Sequence, residues 1–317
     1  MARRKPRLLI LGLPFFSKLL SRALRERGWE TDYVAHPGRD PRGWLALLPK
    51  LLRADAIYHI TSRVDRRSPQ AIFSRAWRRP YVIHWVGTDV LVALEEHRRG
   101  NIDQRFLRVA THWCDAPWLG EELAEIGVKA DYQPLPVVDL SSDPPPPLPG
   151  DFRALLYLPE NPEHRKVFDV ETLLRLPHEL PEIQFTVVPS PPRTLPGPLP
   201  PNLRAPGWIE NMDPIYRDTT VLVRLTTHDG TSFMALEALS RGRHVIWTYP
   251  MTGVRQARGL EAVKAELLDL FERHKRGELG LNEEGMRFAR EEFEPRRVAQ
   301  DIDRRLRALV RESRARR

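Results

Sequence analysis

A single cysteine, Cys114, in 317 residues leaves no partner for a disulfide and no thiolate set for a zinc site. Long apolar runs are missing too: none approaches the ~18 residues that a membrane-spanning helix needs. The start, Met1-Ala2-Arg3-Arg4-Lys5-Pro6-Arg7, is basic but leads straight into a short strand pattern, Leu8 to Leu11, without a cleavage-site pattern. It is not read as a signal peptide, and the cytoplasm is the expected compartment. No G-x-G-x-x-G follows that first strand, which argues against the dinucleotide-binding dehydrogenases. No aromatic–basic recognition pattern accompanies the net charge of +8, so nucleic acid is not an expected partner. No internal repeat is visible.

What is present describes a globular chain with two cores. The hydrophobic fraction is 41% and the charged fraction 29%. The length exceeds a usual single domain, and two cores of about 150 residues would be well buried. Strand patterns at Leu8–Leu11, Thr31–Ala35, Ala56–Ile60, Tyr81–Val86 and Ala110–Trp113 alternate with helical spacing at Phe16–Arg27, Trp44–Leu52, Pro69–Arg78 and Leu119–Ile126. Gly28 sits where a helix stop is expected. The pattern resumes with strands at Ala154–Leu158, Gln184–Val188, Val221–Leu225 and Val245–Trp247, and ends in helices at Asn282–Phe293 and Pro295–Arg311. Apolar strands separated by helices predict parallel sheets covered on both faces, an α/β fold. Between the halves, Ser141-Ser142-Asp143-Pro144-Pro145-Pro146-Pro147-Leu148-Pro149-Gly150 is expected to act as a semi-rigid spacer. A second proline cluster, Pro189 to Pro201, reads as a long surface loop. The expected domains are residues 1–140, a linker at 141–150, residues 151–294, and a helix at 295–317 that packs back on the first domain.

The stretch with the most chemistry runs Thr227-His228-Asp229-Gly230-Thr231-Ser232-Phe233-Met234-Ala235-Leu236-Glu237-Ala238-Leu239, then Ser240-Arg241-Gly242-Arg243-His244-Val245-Ile246. It reads as a turn, a helix and a new strand, after an incoming strand at Val221–Leu225. The N–H groups of Gly230, Thr231 and Ser232 at the helix start, with the helix dipole, favour a phosphate. Glu237 is expected about two turns in, on the face shared with residues 233 and 234. A carboxylate amid Phe233, Met234, Ala235, Leu236, Ala238 and Leu239 needs a reason to be there. Phosphates at the helix start and sugar hydroxyls on a carboxylate suit a nucleotide-sugar. The plain alternative for Asp229 is a helix cap.

Asp229-x7-Glu237 resembles the E-x7-E donor motif of the GT-B glycosyltransferases of the retaining family-four type, with the first acid one methylene shorter. Gly207-Trp208-Ile209-Glu210-Asn211-Met212, with Tyr216, is similar to the family's segment before the donor strand. Leu155-Leu156-Tyr157-Leu158, Arg165-Lys166 and Asp169-Val170-Glu171-Thr172-Leu173-Leu174 are similar to its first C-domain strand, basic loop and helix. The resemblance covers roughly residues 150–260 and is weaker before 150. There, Tyr81-Val82-Ile83-His84-Trp85-Val86-Gly87-Thr88-Asp89-Val90 resembles the family's strand ending in a glycine, a small hydroxyl residue and an acid.

The resemblance implies two Rossmann-like domains facing across a cleft and a hexosyltransferase that retains anomeric configuration. The C-terminal domain would bind a nucleoside-diphosphate sugar as substrate, with no cofactor and no metal. Arg165 or Lys166 and the amides of Gly230, Thr231 and Ser232 would meet the diphosphate, Glu237 the ribose and Asp229 the donor sugar. Gly12, Gly87 and Thr88 would line the acceptor side, with Asp89 and His84 as catalytic candidates. The bland readings are a turn residue for Asp89, a core histidine for His84 and a solvated lysine for Lys166. Gly12-Leu13-Pro14 stands where the family has two glycines, and Pro159-Glu160 where it commonly has Gly-Arg. A catalytically inactive nucleotide-sugar-binding protein and a sugar epimerase on the same fold therefore remain as alternatives.

Charge is distributed unevenly. Residues 1–80 hold 18 Lys+Arg against 6 Asp+Glu, whereas residues 138–317 hold 27 of each. An acidic or lipid-linked acceptor, or an anionic membrane surface met at the inner face of the cytoplasmic membrane, is the expected partner of the first domain. A solvated arginine-rich face is the alternative.

Overall fold

The computed structural model describes residues 4–35, 41–74, 77–136 and 140–316, and the chain divides into two compact units. Unit 1 is Met1–Val138 with Phe293–Arg317, and unit 2 is Asp139–Glu292.

Unit 1 runs β1 (Arg7–Gly12), α1 (Pro14–Arg25), β2 (Glu30–Ala35), α2 (Pro41–Arg53), β3 (Ala56–Ile60), α3 (Pro69–Ser74), β4 (Tyr81–Trp85), α4 (Thr88–Arg98), α5 (Gln104–Val109), β5 (Thr111–Cys114), α6 (Pro117–Ala124) and β6 (Asp131–Tyr132). The strands pair in parallel in the order β2-β1-β3-β4-β5-β6. Continuous apolar strands follow from burial on both faces: Leu8, Leu9, Ile10 and Leu11 are each at most 1% exposed. Proline opens α1 and α6, where its missing N–H costs nothing, and Gly28 at φ +85° closes the turn after α1 by donating to the Arg25 carbonyl. The helix expected over Pro69–Arg78 ends at Ser74; residues 75–76 lie outside the described set and 77–78 are not helical. Helices α4 and α5 were not legible in the sequence. Helix α2 is apolar on two sides. Leu47 and Leu51 face the core at 2% exposure, while Leu45 and Leu52 stand out at 69% and 64%.

Unit 2 runs β7 (Arg153–Leu158), α7 (Pro162–Arg165), α8 (Val170–Glu179), β8 (Gln184–Pro189), β9 (Leu203–Arg204), α9 (Asp213–Arg217), β10 (Val221–Arg224), α10 (Phe233–Ser240), β11 (His244–Trp247), β12 (Val254–Gln256), α11 (Leu260–Lys275) and α12 (Glu283–Glu292). Its sheet is also parallel, in the order β12-β11-β10-β7-β8-β9. Two six-stranded parallel sheets with flanking helices make two Rossmann-like folds, as the alternating pattern led us to expect.

The segment expected to be a semi-rigid spacer between the domains is part of unit 2. Its proline carbonyls have no competing N–H partners, and Arg243 takes those of Pro146 and Pro147 at 2.9 and 3.1 Å. Arg290 holds the Asp143 carbonyl at 2.6 Å and His274 Nε2 meets that of Pro149 at 2.9 Å. The last helix, α13 (Pro295–Ala315), belongs to unit 1. Asp303 accepts from the Trp29 indole at 2.6 Å, Arg305 pairs with Asp131 at 2.5 Å and Arg314 with Asp55 at 2.9 Å.

Candidate functional site

In unit 2, β7 and β10 are parallel neighbours, so their carboxyl ends deliver the following loops to one edge of the sheet. The two loops are stitched together there. Thr227 N–H donates to the Val167 carbonyl at 2.9 Å, and Asp169 N–H to the Leu225 carbonyl at 3.1 Å. The basic loop and the acid-bearing loop, some sixty residues apart in sequence, thus share one edge.

Within that edge Arg165 and Lys166 differ sharply. Arg165 spends its guanidinium on the carbonyls of Pro159 (2.6 Å) and Thr194 (2.9 Å) and on Ser190 Oγ (2.9 Å), which ties three loops together. Lys166 is solvent-facing and reaches only Glu163, at 2.5 Å. Lys166 therefore presents its ammonium to solvent beside Glu163, whereas Arg165 is engaged in holding the loop.

Asp229 accepts from Arg224 at 2.7–2.8 Å, and that guanidinium lies over the rings of Tyr157 (4.9 Å) and Phe168 (5.2 Å). Arg224 is a residue that sequence reasoning missed. The available signal was a cation closing the apolar strand Val221-Leu222-Val223-Arg224. Ser232 caps α10, its Oγ accepting from Ala235 N–H at 3.2 Å, which orders the helix start beside Gly230 and Thr231. Because α10 begins at Phe233, Glu237 stands little more than one turn in, not two. The reason for a carboxylate in that apolar helix is visible: the fully buried Tyr216 donates its phenol proton to Glu237 Oε2 at 2.7 Å. One carboxylate oxygen is thereby held, on a side chain that stays partly exposed.

In unit 1, the carboxyl ends of β1, β3 and β4 carry unusual backbone. Gly12 has φ +119°, and a Cβ there would lie 1.9 Å from the Ile60 carbonyl oxygen, so only glycine lets the end of β1 pass β3. Thr61 has φ +66° and Gly87 φ +129°. Thr88 is exposed at the head of α4. Asp89 Oδ1 accepts from the N–H groups of Val86 (3.1 Å) and Val90 (3.2 Å), the turn-residue geometry; Oδ2 is buried without a partner. Burial raises this carboxyl to about 6, against the lowering by those N–H donors.

His84 requires a correction. It sits inside β4 with 0% exposure and its Nδ1 is hydrogen-bonded to the Tyr58 hydroxyl. Burial is the largest influence on it and takes its pKa down to about 3, so the ring is neutral at pH 7. A residue enclosed by the sheet cannot touch a substrate; His84 is a core histidine. His112 is likewise packed away, stacked against Trp85 with centroids 6.0 Å apart.

No protein-family model and no curated protein matches this sequence. Solved structures do match its fold. Sucrose-phosphate synthase from Thermosynechococcus elongatus superposes with a TM-score of 0.70 over 98% of this chain and 100% of its own, at 15% identity. TarM follows with a TM-score of 0.53, 11% identity, and coverage of 80% of this chain; this chain spans about half of TarM's length, 54%. A TarM structure from S. aureus in complex with fondaparinux, alpha-GlcNAc-glycerol and UDP gives 0.51 at 10% identity over 80% of this chain and 55% of that one. The fold is GT-B.

On this GT-B chain the structure gathers Lys166, Arg224, Asp229 and the capped start of α10 at one edge of unit 2, with Glu237 further along α10. It keeps Gly12, Gly87, Thr88 and Asp89 at strand ends in unit 1. Among the described residues no group of three or more His, Cys, Asp or Glu could hold a metal ion, and no helix is long and apolar enough to cross a membrane.

Proposed function

We propose that this chain is a glycosyltransferase that takes its sugar from a nucleoside diphosphate. The observation that carries the reading is Glu237: a carboxylate in the apolar helix α10, oriented by Tyr216 at 2.7 Å, on a GT-B chain. Glu237 accepts the ribose hydroxyls. Lys166 and the N–H groups at the start of α10 meet the diphosphate, where negative charge grows as the glycosidic bond breaks; donors fixed in advance stabilise that charge without reorganisation. Asp229 holds the donor-sugar hydroxyls while Arg224 fixes its orientation. By the family resemblance no metal takes part and configuration at the sugar is retained.

Unit 1 holds the acceptor, which we propose to be anionic or lipid-linked and reached at an anionic membrane surface. Two observations support this. Unit 1 carries 32 Lys+Arg against 19 Asp+Glu, and α2 exposes Leu45, Leu48 and Leu52 one to two turns apart beside Lys50 and Arg53. Apolar side chains ringed by cations suit the headgroup boundary of anionic lipid.

A second reading, nucleotide-sugar binding without transfer, is favoured by the Arg224–Asp229 pair, which already occupies the first acid of the motif. Calorimetric titration with UDP-, GDP-, ADP- and TDP-sugars tests both. The expected result is saturable binding of at least one donor, followed by nucleotide release when acceptor lipids are added. No binding by any donor refutes the proposal, and binding without release across acceptors replaces it with the second reading.

A further inference from the structure

Unit 2 is acidic on balance, with 18 Lys+Arg against 23 Asp+Glu, yet three of its arginines converge on one cavity. The cavity holds about 260 Å³, and its polar lining is Ser141, Ser142 and Asp143 from the proline-rich segment, Asp213 and Arg217 of α9, and Arg241 and Arg243 beyond α10. None of these residues has a part in the donor contacts described above.

Arg243 is the unusual member. It is 0% exposed, its Nη atoms reach only the neutral carbonyls of Pro146 and Pro147, and its Nε is buried without a partner. Burial first, and then repulsion from Arg241, brings its pKa down to about 10, so it stays charged at pH 7. A desolvated cation that meets no carboxylate is an unfilled demand for negative charge. Arg217 is exposed and makes no ion pair among the described residues. Only Arg241 is matched, by Asp213 at 2.6 Å. Three arginines against Asp143 and Asp213 leave the lining net positive, with Ser141 and Ser142 beside them. A space of this size with an exposed Arg217 suits a tetrahedral oxyanion, since planar N–H forks bind phosphate oxygens in pairs.

We propose that this cavity binds a phosphate dianion, either free or as the ester of a small sugar, and that its occupancy tunes the carboxylate of Glu237. The linkage is short. Arg241 lies over the Tyr216 ring at 4.9 Å and donates to the Glu237 carbonyl at 3.1 Å, while the Tyr216 phenol holds the Glu237 carboxylate. An anion that draws Arg241 from Asp213 shifts the ring that orients Glu237. This second half rests on Glu237 contacting the donor, as proposed above.

The test is isothermal titration at constant ionic strength on the full chain carrying Lys166→Ala, which weakens phosphate binding at the donor edge. Inorganic phosphate and glucose 6-phosphate are titrated separately, which distinguishes the free anion from the ester. We expect saturable one-to-one binding of at least one of them, weakened about tenfold or more by Arg217→Ala, the loss of one charge-assisted contact. Arg217 is exposed, so this variant is expected to keep the parental melting temperature, and the fold is checked by that measurement. Absence of saturable binding for both ligands, or equal affinity in Arg217→Ala, overturns the site. For the linkage, saturating phosphate is expected to change the Kd of a nucleoside diphosphate about fivefold or more, and Arg217→Ala to abolish the change. Intact phosphate binding with an unaltered nucleotide Kd overturns the linkage alone. If no nucleotide binds at all, the functional reading has failed while the phosphate titration still decides the cavity.

Discussion

Changing Glu237 to Gln separates charge from shape at the point where the functional reading is most exposed. In the native protein Glu237 Oε2 accepts the Tyr216 phenol at 2.7 Å. The amide oxygen of glutamine accepts the same bond at nearly the same volume, so the packing of α10 and the buried Tyr216 is kept. What disappears is the negative charge offered to two ribose hydroxyls. A hydrogen bond to a charged group contributes about 1.5–3 kcal/mol, and about 1.4 kcal/mol is a decade in Kd, so Glu237→Gln should weaken nucleotide binding roughly 10- to 150-fold. Calorimetry with a nucleoside diphosphate and with the bare nucleoside should show the same fold loss in both, because the ribose is common to them. Thermal melting should stay close to that of the parent. An unaltered Kd for both ligands in a natively melting variant would remove Glu237 from the donor site.

Four further outcomes follow from the geometry. Lys166→Ala should weaken the diphosphate more than the nucleoside in the same calorimeter, with little change in melting, because its ammonium is solvent-facing and reaches only Glu163. Arg165→Ala should instead lower stability in chemical denaturation, by about 1–3 kcal/mol, because it unties the carbonyls of Pro159 and Thr194 and the hydroxyl of Ser190. Burial holds Asp89 near 6, above the ordinary 3.8, so the folded chain keeps a proton that the unfolded chain has lost between those values. Its contribution to stability is therefore full below pH ~4 and fades as pH rises through ~6; Asp89→Asn should flatten that slope in urea titrations and stabilise the protein at pH 7 by on the order of 3 kcal/mol, and an unchanged slope would refute the assignment. Sedimentation with vesicles containing anionic lipid should show salt-sensitive binding, weak for neutral vesicles and reduced by Leu45→Glu with Leu52→Glu; equal partitioning to both vesicle types would remove the membrane surface.

Much of this architecture is written locally in the chain. Apolar runs such as Leu8–Leu11 and Val221–Val223, punctuated by proline at helix starts and Gly28 at a helix end, determine a parallel α/β fold because strand and helix periodicities are properties of neighbouring residues. The spacing of Asp229 and Glu237 around one helix start is legible for the same reason. Partner choice acts through space, and only the tertiary structure decided it. Nothing near Glu237 in sequence announces Tyr216, 21 residues earlier, and nothing near Arg165 says that its donors go to Ser190 and Thr194 while the adjacent Lys166 is left to solvent. His84 is an ordinary histidine until β3 and β5 close on either side of its strand. The proline-rich segment reads as a spacer because it lacks N–H donors, yet that same deficit leaves carbonyls that a distant buried Arg243 takes up. The leucines of α2 satisfy one helical pattern; which of them reach water depended on the side presented to the sheet.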